Sequence, residues 1–302
     1  MKGANSKLVN SIYRGLNAVT KRFYPSDKVK FHREVQFYAA CADLQFVPRM
    51  YATDPERLEI TLELIDGSPP NTLDDATAGV FYSIIAVLVD RQHAGHPPAF
   101  EAVQSAEDLA TLLMRRALQQ RTYRSFQAHG GDIRRMEEAA LGAATRRAED
   151  VTKMEHRFGN LFSATLLSPS DLGIHNCLRT SSGLKIFDFE FAGVDSVANL
   201  LLNFNLHPRH CDGLIDLRVH ERISIGLERF CMVKPGHAES NLLVSAYAAL
   251  IAVRLLHALS DEALSVRKER GLLLDSELGC HLQAISGRLY RYAQYANEST
   301  AD

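Results

Sequence analysis

Leu167-Ser168-Pro169-Ser170-Asp171-Leu172-Gly173-Ile174-His175-Asn176-Cys177-Leu178 runs into a turn at Ser181-Ser182-Gly183 and then into Leu184-Lys185-Ile186-Phe187-Asp188-Phe189-Glu190. Asn176 follows Asp171 by five positions, and Asp188 follows Asn176 by twelve. Two short extended runs around a Ser-Ser-Gly turn predict a β-hairpin. Such a hairpin carries Asn176 and Asp188 to one mouth. The residue types suit phosphoryl transfer. One carboxylate, Asp171, can orient a hydroxyl and accept its proton. The amide oxygen of Asn176 and the carboxylate of Asp188 suit Mg²⁺, a hard cation that prefers oxygen ligands. Taken singly, Asp171 could cap a turn and Asp188 could end a core strand. The spacing, with a strand-turn-strand between them, favours the chemical reading.

This arrangement, Asp-x-x-x-x-Asn followed by Asp-Phe-Glu, resembles the aminoglycoside phosphotransferase-like branch of the protein-kinase-like fold, the small-molecule kinase branch. The continuation Ala192-Gly193-Val194-Asp195-Ser196-Val197-Ala198-Asn199-Leu200 resembles that branch as well. The resemblance implies Asp171 as catalytic base and Asn176 and Asp188 as magnesium ligands, with ATP as donor. It also departs from the branch. Pro169-Ser170-Asp171 stands where relatives often have His-Gly-Asp, which removes a packing residue and no metal ligand. Asn199 stands where relatives often have Asp and is read as structural.

Working outward, residues 7–14 and 16–24 read as two strands around Gly15, and Ser26-Asp27 offers an N-cap to a following helix. Val19-Thr20-Lys21 resembles the strand that presents the phosphate-binding lysine. Glu34 stands where the family's helical glutamate would pair with it. Arg22 is a rival cation, but alternation along a strand turns it to the other face. Gly3-Ala4-Asn5-Ser6-Lys7 resembles the phosphate-covering loop, with Gly3 and Ser6 among its backbone donors. Only two residues precede Gly3, so the strand that normally leads into this loop is lacking. Either the protein starts upstream of Met1 or its lid is short. Val47-Pro48 begins another extended segment. Leu58 to Ile65 alternates by twos as a half-buried strand does. Glu63 and Ile65 match the hinge, where backbone groups would bind adenine. Asp66-Gly67-Ser68-Pro69-Pro70 breaks the strand and marks a linker.

Beyond residue 72 the pattern turns helical: Ala76 to Leu88, then 105–127 and 133–157 around His129-Gly130-Gly131-Asp132, and again after 196. Short strands fill 160–195. The expected architecture is α+β and two-lobed. A small antiparallel N-terminal lobe, residues 1–67, would bind nucleotide. A larger helical lobe, 68–302, would carry the catalytic loop and the acceptor site.

The bulk composition bounds the rest. A chain of 302 residues with 46% hydrophobic residues can bury a large core. The net charge of −2 and the lack of a basic stripe argue against nucleic acid. Even Arg267-Lys268-Glu269-Arg270 is interrupted by a glutamate. Cys41, Cys177, Cys211, Cys231 and Cys280 are odd in number and without a C-x-x-C pair, so reduced buried thiols are expected. Leu242 to Leu259 is the most apolar helical stretch, but Arg254 and His257 lie inside it. It reads as a buried helix, not a membrane span. No apolar leader follows the N-terminus, and the expected location is the cytoplasm. His175 reads as packing of the catalytic loop, and His93 and His96 as last-turn helix residues. His207 and His210 flank Pro208-Arg209 without a partner that the sequence names.

The function implied is ATP-dependent phosphorylation of a hydroxyl group on a small molecule: a sugar, an amino alcohol or an aminoglycoside-like compound. From residue 201 to 302, 12 Asp and Glu face 11 Lys and Arg. That balance gives no support to a polycationic acceptor. A pseudokinase or scaffold of the same fold is the alternative, supported by the short N-terminus and the lost His. Protein kinase activity ranks last, since no activation segment ending in Ala-Pro-Glu occurs.

Overall fold

The computed structural model describes residues 11–15, 17–70, 72–91, 95–122, 131–158, 160–259 and 275–298. Gly3, Ser6, the start of the first expected strand, His93, His129, Gly130 and the Arg267–Arg270 stretch lie outside the described residues. The chain divides into two compact units. One comprises the described residues up to Ala102 together with Thr165–Leu200. The other comprises Val103–Ala164 and the described chain from Leu201 on. These units are drawn by contact and cut the chain differently from the 1–67 and 68–302 division by role.

The first unit opens with an antiparallel sheet of four strands: β1 (Ser11–Arg14), β2 (Ala18–Arg22), β3 (Met50–Asp54) and β4 (Glu59–Glu63), in the order β1-β2-β4-β3. Gly15 closes the first hairpin, its N–H donating to Ala18 O at 2.8 Å. β4 alternates as its sequence does, with Ile60 and Leu62 buried. It is shorter at both ends than the Leu58–Ile65 run, because Leu58 turns the chain with a φ of 53°. Helix α1 (Lys28–Ala40) follows β2 through a short 3₁₀ turn. Asp27 occupies the N-cap position without accepting a capping bond, and its carboxylate lies 3.5 Å from the Lys30 ammonium. Helix α2 (Asp75–Val89) is capped as expected of a short polar residue: Asp74 accepts from Thr77 N at 2.7 Å. Because α2 ends at Val89, His96 lies beyond it and is not a last-turn residue.

Thr165–Leu200 returns to this first unit. β5 (Thr165–Ser168) pairs with β8 (Gly193–Ser196), and β6 (Cys177–Thr180) pairs with β7 (Gly183–Ile186). The register Thr180↔Gly183 leaves Ser181-Ser182 as a two-residue hairpin loop. Backbone contacts fasten this insert. Phe187 N donates to Asn176 O at 2.9 Å and Ile186 N to Phe46 O at 2.8 Å. Gly193 is required where it stands: a Cβ there would lie 2.5 Å from Pro97 O and 2.6 Å from Ala99 N. Between the two carboxylates of Asp-Phe-Glu, the Phe189 ring stacks on Phe37 at 4.1 Å and meets Tyr38 edge-on at 5.0 Å. All three rings are fully buried.

The second unit is helical. It contains α3 (Ala106–Thr122), α4 (Gly131–Lys153), the short α5 (Glu155–Phe158), α7 (Leu217–Cys231), α8 (His237–Ala258) and α9 (Asp275–Glu298). The preceding α6 (Val197–Asn205) begins in the first unit. The expected 133–157 helix breaks at Met154, and Gly131, read as part of a break, already belongs to α4. α8 is long and apolar enough to cross a membrane by length and composition, yet 72% of its apolar window is buried inside the protein. Its neighbours are α3, α4 and α9. The Arg147 guanidinium of α4 donates to Ala296 O of α9 at 2.8 and 3.0 Å. His210 Nε2 lies 2.5 Å from Phe204 O, and Arg209 N donates to His207 Nδ1 at 3.1 Å, so both histidines have local partners. Cys41, Cys177, Cys211 and Cys231 are free and buried, as the spacing of the cysteines suggested.

Phe189 joins the insert to α1, so its removal leaves a cavity against Phe37 and Tyr38. Phe189→Ala is expected to lower stability by about 3–5 kcal/mol, read from urea unfolding. Phe189→Leu, which keeps most of the volume, is expected to cost clearly less.

Candidate active site

The site is built around one ammonium group. β2 alternates, so Lys21 turns inward to 5% exposure while Arg22 turns out and donates to Glu59 at 2.5 Å. The Lys21 Nζ lies 2.6 Å from Glu34 Oε2 and 2.5 Å from Asp188 Oδ1, with Glu190 Oε2 at 3.8 Å. Glu34 is completely buried on α1, fixed by the packing of Phe31, Phe37 and Tyr38 on the same helix. Its second oxygen, Oε1, has no hydrogen-bond partner among the described residues. Burial alone would lower the Lys21 pKa. Glu34, then Asp188 and Glu190, overcome this and hold it above the ordinary lysine value. Burial also pushes the Glu34 carboxyl up, against the pull of Lys21. Glu190 is raised for the same first reason, burial, with the nearby Asp188 charge adding to it.

Glu190 has a second cation. Lys30 Nζ lies 3.5 Å from Glu190 Oε1 and 5.1 Å from the centre of the Phe191 ring. Lys30 stands four residues before Glu34, on the same side of α1. Asp188 and Glu190 flank Phe189: both carboxylates lie near Lys21 while the ring packs against Phe37 and Tyr38. Sequence reading missed Glu190 and Lys30. The signal for Lys30 was periodicity, four residues from Glu34 on a helix, whereas Glu190 lies beyond the end of β7, outside any strand.

The catalytic-loop candidates meet the hairpin as the spacing implied. Asn176 Nδ2 donates to Asp171 O at 2.9 Å and to Asp171 Oδ2 at 3.2 Å. This commits the amide nitrogen and leaves the amide oxygen as the group Asn176 can offer a cation. The bond from Phe187 N to Asn176 O ties this loop to the residue preceding Asp188. His175 is half-buried, with its Nε2 3.5 Å from Asp171 Oδ2. Two backbone conformations are unusual. Ser170 has a φ of 66° and Asp188 a φ of 70°, in the left-handed region that suits glycine and is tolerated by Asp and Asn. Ser168 Oγ accepts the Ser170 N–H at 3.0 Å. Asn199, read as structural, is buried and donates to Asp195 Oδ2 at 2.7 Å.

Of the hinge candidates, Glu63 lies on the same sheet and Ile65 beyond its end. Glu63 ends β4, three residues beyond Ile60, which pairs with Lys21. That is about 10 Å along the strand. The Glu63 side chain is already engaged: its Oε2 accepts from Arg49 N at 3.1 Å and from Lys185 Nζ at 3.2 Å. Burial works to raise this carboxyl, but the Arg49 N–H and the Lys185 ammonium outweigh it and hold it below its ordinary range. The Glu63 backbone N–H is engaged too, donating to Arg49 O at 2.8 Å. Ile65 is half-buried in the segment that follows. The Ser68–Arg179 backbone bonds, at 2.8 and 3.1 Å, pin that segment to β6.

The structure therefore gathers Lys21, Glu34 and Asp188 into direct contact and joins Asp171 and Asn176 to them through Phe187. The donor set fits magnesium and a nucleotide. The Asp188 carboxylate and the Asn176 amide oxygen are the oxygen donors a hard cation requires, and the Lys21 ammonium lies beside that carboxylate.

No protein-family model matches the sequence, and no curated protein sequence matches it. Solved structures do. A choline kinase from Cryptosporidium parvum Iowa II matches with a TM-score of 0.57 at 12% identity, over 98% of this chain and 91% of that one. A choline/ethanolamine kinase family protein from Mesorhizobium loti matches at 0.53 and 14% identity, over 92% of this chain and 90% of that one. A spectinomycin phosphotransferase in complex with ADP and spectinomycin matches at 0.54 and 10% identity, over 97% of this chain and 93% of that one. The chain has the fold of these structures, and the resemblance carried by Asp171, Asn176 and Asp188 holds at the level of fold.

Two outcomes are expected from this geometry. Lys21→Met leaves Glu34, Asp188 and Glu190 without their shared cation and should cost about 3–5 kcal/mol. Adding Glu34→Gln should recover a large part of that in a urea-unfolding series. Ser170→Gly and Ser170→Val should differ by about 1–3 kcal/mol in favour of glycine, since a β-branched side chain tolerates a φ of 66° worst.

Proposed function

We propose that this chain is an ATP-dependent, magnesium-requiring phosphotransferase that phosphorylates a hydroxyl group of a small molecule. The observation that supports this reading best is the convergence of Lys21, Glu34 and Asp188 at 2.5–2.6 Å, next to the Asp171–Asn176 pair. In this reading Glu34 holds Lys21 for the α- and β-phosphates. The backbone at Glu63 and Ile65 receives adenine. Gly3 and Ser6 belong to the loop over the phosphates. Asp188 and the amide oxygen of Asn176 hold Mg²⁺. Bound there, the ion would neutralise charge on the triphosphate. Asp171 orients the acceptor hydroxyl and takes its proton as the oxygen attacks. Asn176, by donating to Asp171, keeps that carboxylate aimed. Residues 1–67 act as the nucleotide lobe and 68–302 as the catalytic and acceptor lobe. The free, buried cysteines suit a reducing cytoplasm.

The neighbours named choline and ethanolamine kinase point to an amino alcohol as one acceptor class. The near-even charge of residues 201–302 agrees better with a neutral or singly charged acceptor than with a polycation.

The test is transfer of labelled γ-phosphate from ATP to a panel of choline, ethanolamine, sugars and aminoglycosides. Asp171→Asn should lower kcat by about 10²–10⁴-fold while the thermal shift given by Mg-ATP persists. At a hundredfold excess over Kd that shift corresponds to about 2.7 kcal/mol. A wild-type protein that neither shifts with Mg-ATP nor labels any acceptor would sink the proposal and leave a scaffold.

A further inference from the structure

Residues Pro97 to Glu101 form a strap beside the chain that follows Asp-Phe-Glu. Val194 N donates to Pro97 O at 2.8 Å, Ala99 N to Val194 O at 2.9 Å and Phe100 N to Phe191 O at 3.0 Å. Pro98 pairs with Val194 in parallel. Each end of the strap meets a residue that stands just before a site residue. At one end is Arg33, which precedes Glu34 on α1. Its Nη1 donates to Pro98 O and, at 2.9 Å, to Ala192 O. One guanidinium nitrogen thus spends both its protons, one on the strap and one on the chain beside it. At the other end is Ser170, which precedes Asp171. Its hydroxyl donates to Phe100 O in a long bond of 3.5 Å, and Asn199 Nδ2 donates to Glu101 O at 3.4 Å. Glu101 holds a φ of 56°, a strained conformation that persists where its surroundings fix it.

We infer that Arg33 is a positioning residue which, through this strap, keeps α1 in register with the loop that carries Asp171. The inference rests on the phosphotransferase reading above and adds to it a residue that has no contact with nucleotide or metal in that reading. Phe37 and Tyr38 already hold α1 against Phe189. Apolar burial is non-directional, whereas hydrogen bonds weaken steeply away from their preferred angle. The paired bonds of Arg33 therefore add a fixed bearing of α1 about its own axis. Without them Lys21 keeps its own contacts to Glu34 and Asp188. What shifts is the alignment of a donor phosphate with Asp171. A misplacement of about 1 Å between reacting groups can cost about 10²-fold in rate. The loss is therefore expected in turnover, with nucleotide affinity nearly unchanged.

The experiment measures γ-phosphate transfer from Mg-ATP to choline, to the other acceptors of the panel above and to water. Calorimetric titration with Mg-ADP and circular dichroism at the assay temperature accompany it. Arg33→Met is expected to lower kcat about 10–100-fold and to leave the Kd for Mg-ADP within about threefold of wild type. Arg33→Lys keeps the charge without the planar fork and should fall between Arg33→Met and wild type. Ser170→Ala removes the bond at the other end of the strap and should lower kcat about 2–10-fold. Because both residues act through one strap, the double variant should lose little more than Arg33→Met alone. Should Arg33→Met fail to fold, Arg33→Lys takes its place in the same cycle. The inference is overturned if kcat survives the loss of Arg33, if the effect lies in the Kd for Mg-ADP instead, or if the losses at residues 33 and 170 multiply. A wild type that transfers phosphate to none of these acceptors overturns the phosphotransferase reading itself, and the inference with it.

Discussion

A buried ammonium shared by a helical carboxylate and a strand-end carboxylate is the constraint that organises the first unit. Taking Lys21 and Glu34 out of water is costly, and attraction repays that cost only when geometry is close and the remaining charges are met. Three segments must therefore arrive at one point: β2 with Lys21, α1 with Glu34 and the end of the hairpin with Asp188. Each is held there by something other than charge. β2 is paired on both sides, to β1 and β4. α1 is anchored by Phe31, Phe37 and Tyr38. Asp188 is placed by Phe189, whose ring is locked between Phe37 and Tyr38.

The same arrangement explains why strain appears where it does. Asp188 and Ser170 both occupy left-handed backbone conformations without being glycine. Packing fixes Phe189 on one side of Asp188, and the Asn176–Phe187 backbone bond fixes the other. The intervening turn must then reach positive φ to aim the carboxylate at Lys21. Aspartate tolerates this better than most residues. Serine at 170 has a weaker claim, and its N–H bond to Ser168 Oγ offsets part of the cost.

What the sequence disclosed followed from locality. Asp171, Asn176 and Asp188 fall within 18 residues of one another around a Ser-Ser-Gly hairpin, so their convergence needed only strand alternation and a turn. Lys21 and Glu34 were legible through resemblance together with the alternation that sends Arg22 outward. Glu190 and Lys30 were not, because their contact joins residues 160 apart in the chain. The glycine-like backbone at Ser170 and Asp188 was hidden, since nothing in either residue announces a positive φ. Helix ends also slipped. His96 was read into α2 although the helix stops at Val89, and Asp27 reached the N-cap position but engages Lys30 instead of the helix backbone. In each case a specific tertiary partner overrode a local preference.

The first unit is interrupted. Its sheet is complete by Glu63, yet the strands that deliver Asn176 and Asp188 come only after the excursion through Val103–Ala164. The bond from Lys21 to Asp188 closes a loop of 167 residues. Loop-closure entropy must be overcome before such a contact can reward the chain. On a ribosome, the N-terminal sheet and α1 therefore emerge well before their charge partner exists. Until then Glu34 is the only one of the three carboxylates around Lys21 that has been made. The fold is thus vectorial in a specific sense: its electrostatic keystone is set last, from residues synthesised more than halfway along the polypeptide.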